Sequence, residues 1–145
     1  MKETVARVDV SSASASALIQ AAVAQAVSRS SRICAVVTNS SGGMVAMLRM
    51  DGVNDPYVEI ATDKAYTAAT TRRSSESFYE RMSSTPALTL GFTNRNRLTV
   101  WGGGLPLFHD GICVGGIGIS GGTVADDIAC AEAALIDCGW NSSKS

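Results

Sequence analysis

The chain is short of the residues that carry most catalytic and metal chemistry. It has a single histidine, three prolines and 6% aromatics, and only 17% of its 145 residues are charged. One histidine cannot form a metal set by spacing, and no serine stands in a nucleophile-elbow setting that would use it as a triad base. Four cysteines are present, at Cys34, Cys113, Cys130 and Cys138, with no CxxC spacing. They read as reduced core thiols, neither a disulfide frame nor a zinc site. The arginines are scattered, no basic run exceeds two residues, and the formal net charge is −1, which argues against nucleic-acid binding. No apolar stretch approaches the ~18–20 residues that cross a bilayer. The N-terminus MKETVARVDV has no signal-peptide pattern, so the expected compartment is the cytoplasm.

What is present is small and apolar. Hydrophobic residues make up 46% of the chain and there are 14 glycines. A chain of this length suits one domain, residues 1–145, with 139–145 as a loose tail. The low surface charge points to surface buried in an oligomer.

Hydrophobic periodicity predicts a helix over 11–29, with the stripe Leu18, Ile19, Ala22, Val23, Ala26 and Val27 inward. Strands are expected at 32–39 and 44–50 around the turn Ser40–Gly43. Asp55–Pro56 predicts a helix start with Asp55 as cap, running to about Arg72. A second helix, 74–82, ends before Pro86. Residues 88–101 read as a strand or two. After Gly102–Gly104 come the strand LPLFH, the turn Asp110–Gly111 and the strand 112–120. Thr123 caps a last helix with the stripe Val124, Ile128, Ala131, Leu135 and Cys138. Hairpins separated by helices predict an α+β fold with a mainly antiparallel sheet.

The stretch WGGGLPLFHDG (101–111) raises the question of a phosphate loop. Such a loop leads into a helix whose amides face the anion. Here the glycines lead into a strand, and neither GK[ST] nor GxGxxG is present. Gly103 and Gly104 therefore read as a backbone corner that permits close approach to a ligand. His109, at a strand end, reads as an exposed residue, with axial haem ligand or acid/base residue as the sharper alternative. Met44, Met47 and Met50 read as strand core, with iron ligation as the alternative. Lys64 lies on the apolar face of its helix, with Tyr57, Ile60, Ala61, Ala65 and Ala68. There it would snorkel, form an ion pair, or meet a ligand as a cation or low-pKa amine. Arg49 and Asp51 share a strand face, as a structural bracket or as pocket lining beside Lys64. Arg72–Arg73 suits a helix C-terminus and offers cations to an acidic ligand.

The blocks VVTNSSGGMVAMLRMDG, IATDKAYTAATTRRSSESFYERM and GGGLPLFHDGICVGGIGISGGTVADDIACAEAAL resemble the GlcG/HbpS-like family, which includes the C-terminal domain of PduO-type proteins. The resemblance runs from about residue 10 to 138. It implies a profilin-like α+β fold, an antiparallel sheet of about five strands with helices on its faces. It also implies a homo-oligomer, dimer-based, tetrameric or octameric. Some members bind or degrade haem, the PduO-type domain is linked to haem or corrinoids, and others belong to catabolic gene clusters. The leading expectation is a small-ligand-binding module, with haem suggested by the resemblance and Arg49, Lys64, Arg73, Gly103, Gly104 and His109 at the ligand. The alternative is an enzyme on a small unsaturated carboxylate, a tautomerase or an enamine or imine hydrolase. There Arg49, Lys64 or Arg73 would hold the carboxylate and Lys64 or Asp51 would move a proton. A purely structural partner subunit is the third reading.

Overall fold

The structure, a computed structural model, describes residues 1–144. The elements run α1 (Ser12–Ser28), β1 (Cys34–Asn39), β2 (Met44–Arg49), α2 (Pro56–Thr71), α3 (Ser75–Met82), α4 (Pro86–Phe92), β3 (Gly104–His109), β4 (Ile112–Ser120) and α5 (Val124–Cys138). The sheet is antiparallel, in the order β2-β1-β4-β3. The class is the α+β one anticipated, with four strands in place of about five.

Residues 88–101 account for the difference. Pro86 opens a helix where it was expected only to end one. Its ring suits the first helical position, and Thr85 Oγ1 caps it by accepting from the Leu88 amide at 3.3 Å. The segment that follows bonds to α2 and not to a strand. Thr67 Oγ1 accepts from the Thr99 amide (3.0 Å) and donates to the Arg97 carbonyl (3.2 Å).

Both sheet faces are covered, so β1 is buried throughout Cys34–Thr38. Alternation sends Cys34 and Val36 toward Ala61 and Ala65 of α2, and Ala35 and Val37 toward α1 and α5. Leu18 of α1 is wholly enclosed, a burial worth about 1.5–3 kcal/mol. The α2 layer is unusually close. A Cβ at Gly116 would lie 2.4 Å from the Ala65 carbonyl oxygen, and one at Gly118 would lie 2.1 Å from that of Ala61. The strand glycines and the helix alanines thus allow two backbones to touch.

Several expected faces are rotated. Tyr57 of α2, Val27 of α1 and Val124 of α5 are exposed, while Thr67, Ala69 and Asp127 are buried. Asp55 does not cap α2. Its own backbone is helical, and its carboxylate takes the Arg49 guanidinium. The Asp110–Gly111 hairpin turn is as expected, with both residues at positive φ. The tail expected to be loose is fastened at Asn141, whose carbonyl accepts from the Phe108 amide at 2.9 Å. Ser145 of that tail lies outside the described residues. The four cysteines are free, and burial pushes the Cys34 and Cys130 thiols up to about 11. Among the described residues no helix is long and apolar enough to cross a membrane.

Candidate functional site

Lys64 projects from α2 into the protein, with 3% of its side chain exposed. A buried ammonium is costly unless it is paired and hydrogen-bonded. Here Nζ donates to the Ile119 carbonyl at 2.8 Å and to Asp127 Oδ2 at 3.1 Å. The other oxygen of Asp127 accepts from the Gly122 amide at 3.0 Å. The strand-to-helix junction Gly121–Gly122 thus receives a carboxylate, and it is the chain's own. Burial draws the Lys64 ammonium below the ordinary lysine range, and the facing Asp127 carboxylate opposes that. Burial likewise raises the Asp127 carboxyl, against the pull of Lys64. The hydrogen bonds on three sides favour the ionised pair.

The glycine corner is built around this pair. Gly103 sits at φ +116, and a Cβ there would be 2.7 Å from the Ile119 oxygen and 3.2 Å from Lys64 Nζ. At Gly104 a Cβ would come within 2.5 Å of the Lys64 carbonyl oxygen. The Gly104 amide donates to Ser75 Oγ at 2.9 Å, which fixes the first turn of α3 to the start of β3. Ser75 is fully buried.

Above the corner opens a cleft of about 630 Å³. Leu105, Phe108 and Ile128 line its apolar side. Arg72 and Arg73, where α2 ends, both line it, and so does Lys144; Arg72 also borders a second groove beside Cys113. Glu76 and Glu132 are its carboxylates. Arg72 is itself the αL residue that ends α2, at φ 59, and this turns the chain sharply enough to start α3 beside the cleft.

The structure thus brings together Arg72, Arg73, Gly103 and Gly104 of the residues singled out in the sequence. Lys64 lies directly behind Gly103, sealed from the cleft. Arg49 and Asp51 are at the opposite edge of the sheet, in a shallow groove with Arg32 and Met50. Arg49 pairs there with Asp55 and not with Asp51, because Asp51 has already entered the turn. His109 is exposed at the far end of β3, 3.5 Å from Asp110 and stacked at a tilt near Trp140. Ser75, Asp127, Glu76 and Glu132 were missed. Asp127 was legible only as a charge in the first turn of α5, and its partner lies 63 residues away.

Residues 10–136 match the family model described as haem degrading protein HbpS-like. A 15.0 kDa protein from the dhaT-dhaS intergenic region of Citrobacter freundii is 35% identical over 127 residues, covering 87% of this chain and 89% of its own. Protein GlcG of Escherichia coli K12 is 32% identical over 114 residues, covering 79% and 83%. Among solved structures, a PduOC–haem complex superposes with a TM-score of 0.86 at 27% identity, covering 94% of this chain and 99% of that one.

Proposed function

The chain belongs to the HbpS-like family, and on that premise we propose that it binds haem, or a similarly flat ligand edged with carboxylates, in the cleft above Gly103–Gly104. The observation that carries this is the pairing of Arg72 and Arg73 with an apolar wall in one cavity. Haem is an apolar macrocycle with a pair of carboxylates at one edge, and the donor set fits it. Arg72, Arg73 and Lys144 suit the carboxylates, since guanidinium forks bind them in two-point fashion. Leu105, Phe108 and Ile128 suit the ring. Among the described residues the lining contains no imidazole, thiol, thioether or phenol, so the carboxylates of Glu76 and Glu132 are the anionic oxygens this cleft would offer an iron, beside the hydroxyls of Thr71 and the lining serines. When bound, the group would supply a redox-active iron. The chain's own part is to hold the carboxylates and to keep water from one ring face.

The enzyme reading finds its carboxylate-holding Arg73 in the same cleft, but of its two proton-moving candidates Lys64 is behind the glycine corner and Asp51 is at the opposite edge of the sheet. The binding reading is therefore preferred. It includes self-association, supported by exposed Leu90, Trp101 and Met47. Hemin titration followed by absorption tests the proposal. A saturable Soret band is expected, weakened at least tenfold in affinity by Arg72→Ser with Arg73→Ser and unchanged by His109→Ala. Loss of the band in His109→Ala would move the ligand away from this cleft.

A further inference from the structure

We infer that the outer edge of β2 joins to the same edge of a second copy of this chain, so that two sheets continue into one across a twofold axis at Met47. The inference rests on the reading of the protein as self-associating and names the surface that does it.

The sheet order leaves β2 at one end. Among the described residues no strand pairs with its outer side, whereas the other edge strand, β3, is bonded by Asn141. The Met50 amide donates to the Ile33 carbonyl at 3.0 Å, and the register pairs Leu48 with Ala35 and Ala46 with Val37. In an antiparallel ladder the hydrogen-bonded residues alternate, so Met47 and Arg49 turn their amides and carbonyls outward. Among the described residues those backbone groups have no protein partner, on a strand of six residues.

Natural edges are guarded by lysines, prolines, bulges or inward charges. The strand MVAMLR has no lysine or proline, and its register shift against β1 falls near its start, at Val45, which leaves Ala46–Arg49 regular. Met44 and Met47 are 51% and 44% exposed. Its one charge, Arg49, is neutralised by Asp55. A copy of the same strand fits this edge in charge as well as in backbone. Antiparallel pairing centred on Met47 sets each Met47 against the other and each Arg49 beside the other copy's Val45, the residue at the register shift, so no like charges meet. The two methionines then lie on the same face, beside the α2 layer, with Cα atoms about 5.5 Å apart.

The test is light scattering together with cross-linking by a short bis-maleimide, comparing Met47→Cys with Met44→Cys and the wild type. The chain's own four cysteines set the baseline. Cysteines at 47 would face each other. Those at 44 would lie about 20 Å apart, six residues at about 3.3 Å each. Covalent dimer well above baseline for Met47→Cys alone, with reduced mass for the folded Met47→Lys variant, is the expected result. Met47 is exposed, so neither change threatens the core, and circular dichroism checks the fold. An oligomeric wild type in which Met47→Cys cross-links no better than Met44→Cys overturns the β2 edge while leaving self-association standing. A monomeric wild type overturns both.

Discussion

Lys64 Nζ lies 3.1 Å from Asp127 Oδ2, although the two residues stand on helices that cover opposite faces of the sheet. The lysine crosses between the start of β3 and the end of β4, and only glycine at 103 leaves room for it. One ion pair therefore ties both helical layers to the corner that floors the cleft.

Breaking this pair from one side should be expensive. Lys64→Met leaves the Asp127 carboxylate buried without its cation, which costs about 3–5 kcal/mol. Adding Asp127→Leu removes the stranded charge and should recover much of that loss. The recovery is incomplete, because the Gly122 amide then lacks its acceptor, a deficit of about 1–3 kcal/mol. Urea unfolding of both variants measures this. Costs that simply add would show that the two residues are not coupled.

Two glycine substitutions should have opposite signs, one at the contact between α2 and β4 and one on the open face of α4. Gly118→Ala drives a methyl to 2.1 Å from the Ala61 carbonyl oxygen. It should destabilise by about 1–3 kcal/mol or more, because backbone must move. Gly91 is helical, and a Cβ there would meet nothing within 4 Å. Gly91→Ala should therefore stabilise, by up to about 1 kcal/mol from helix propensity. Thermal melting of the pair decides it, and equal effects would contradict the packing described.

Asp9 sets an acid limb. Its carboxylate accepts from the Ser40 hydroxyl at 2.5 Å and the Ser40 amide at 2.9 Å, and pairs with Arg7. The Ser40 hydrogen bonds, foremost, hold its carboxyl below the ordinary 3.8. A carboxyl lowered by folding contributes stability above its unfolded value and loses it as pH falls through the folded one. Asp9→Asn should thus lower the melting temperature at pH 6 and narrow the difference from wild type as pH falls below 3.8. A difference that stays constant down to pH 2 would show that Asp9 is not responsible.

The helices and hairpins were legible because their signals are local. Asp110–Gly111, Thr123 and Asp55–Pro56 act within a few residues, and even there Asp55 lost its cap to Arg49. Residues 88–101 misled because Pro86 was read as a stop when, after Thr85, it is equally a start. The bonding of residues 97–99 to Thr67 is also invisible without the fold. Lys64 was noticed, being a lysine among alanines, yet its partner was not, since nothing local distinguishes Asp127 from Asp126. The cleft joins the end of α2, the start of α3, the glycine corner, α5 and the tail, elements that sequence order keeps apart.

The most direct measurement of the central claim compares hemin with its carboxyl dimethyl ester on the wild type and on Arg72→Ser/Arg73→Ser. Calorimetry and absorption would be read together. If the arginines hold the carboxylates, the wild type binds hemin at least tenfold more tightly than the ester, and the double variant binds both equally weakly. Equal binding of hemin by wild type and variant, or no saturable binding by either, would contradict the account.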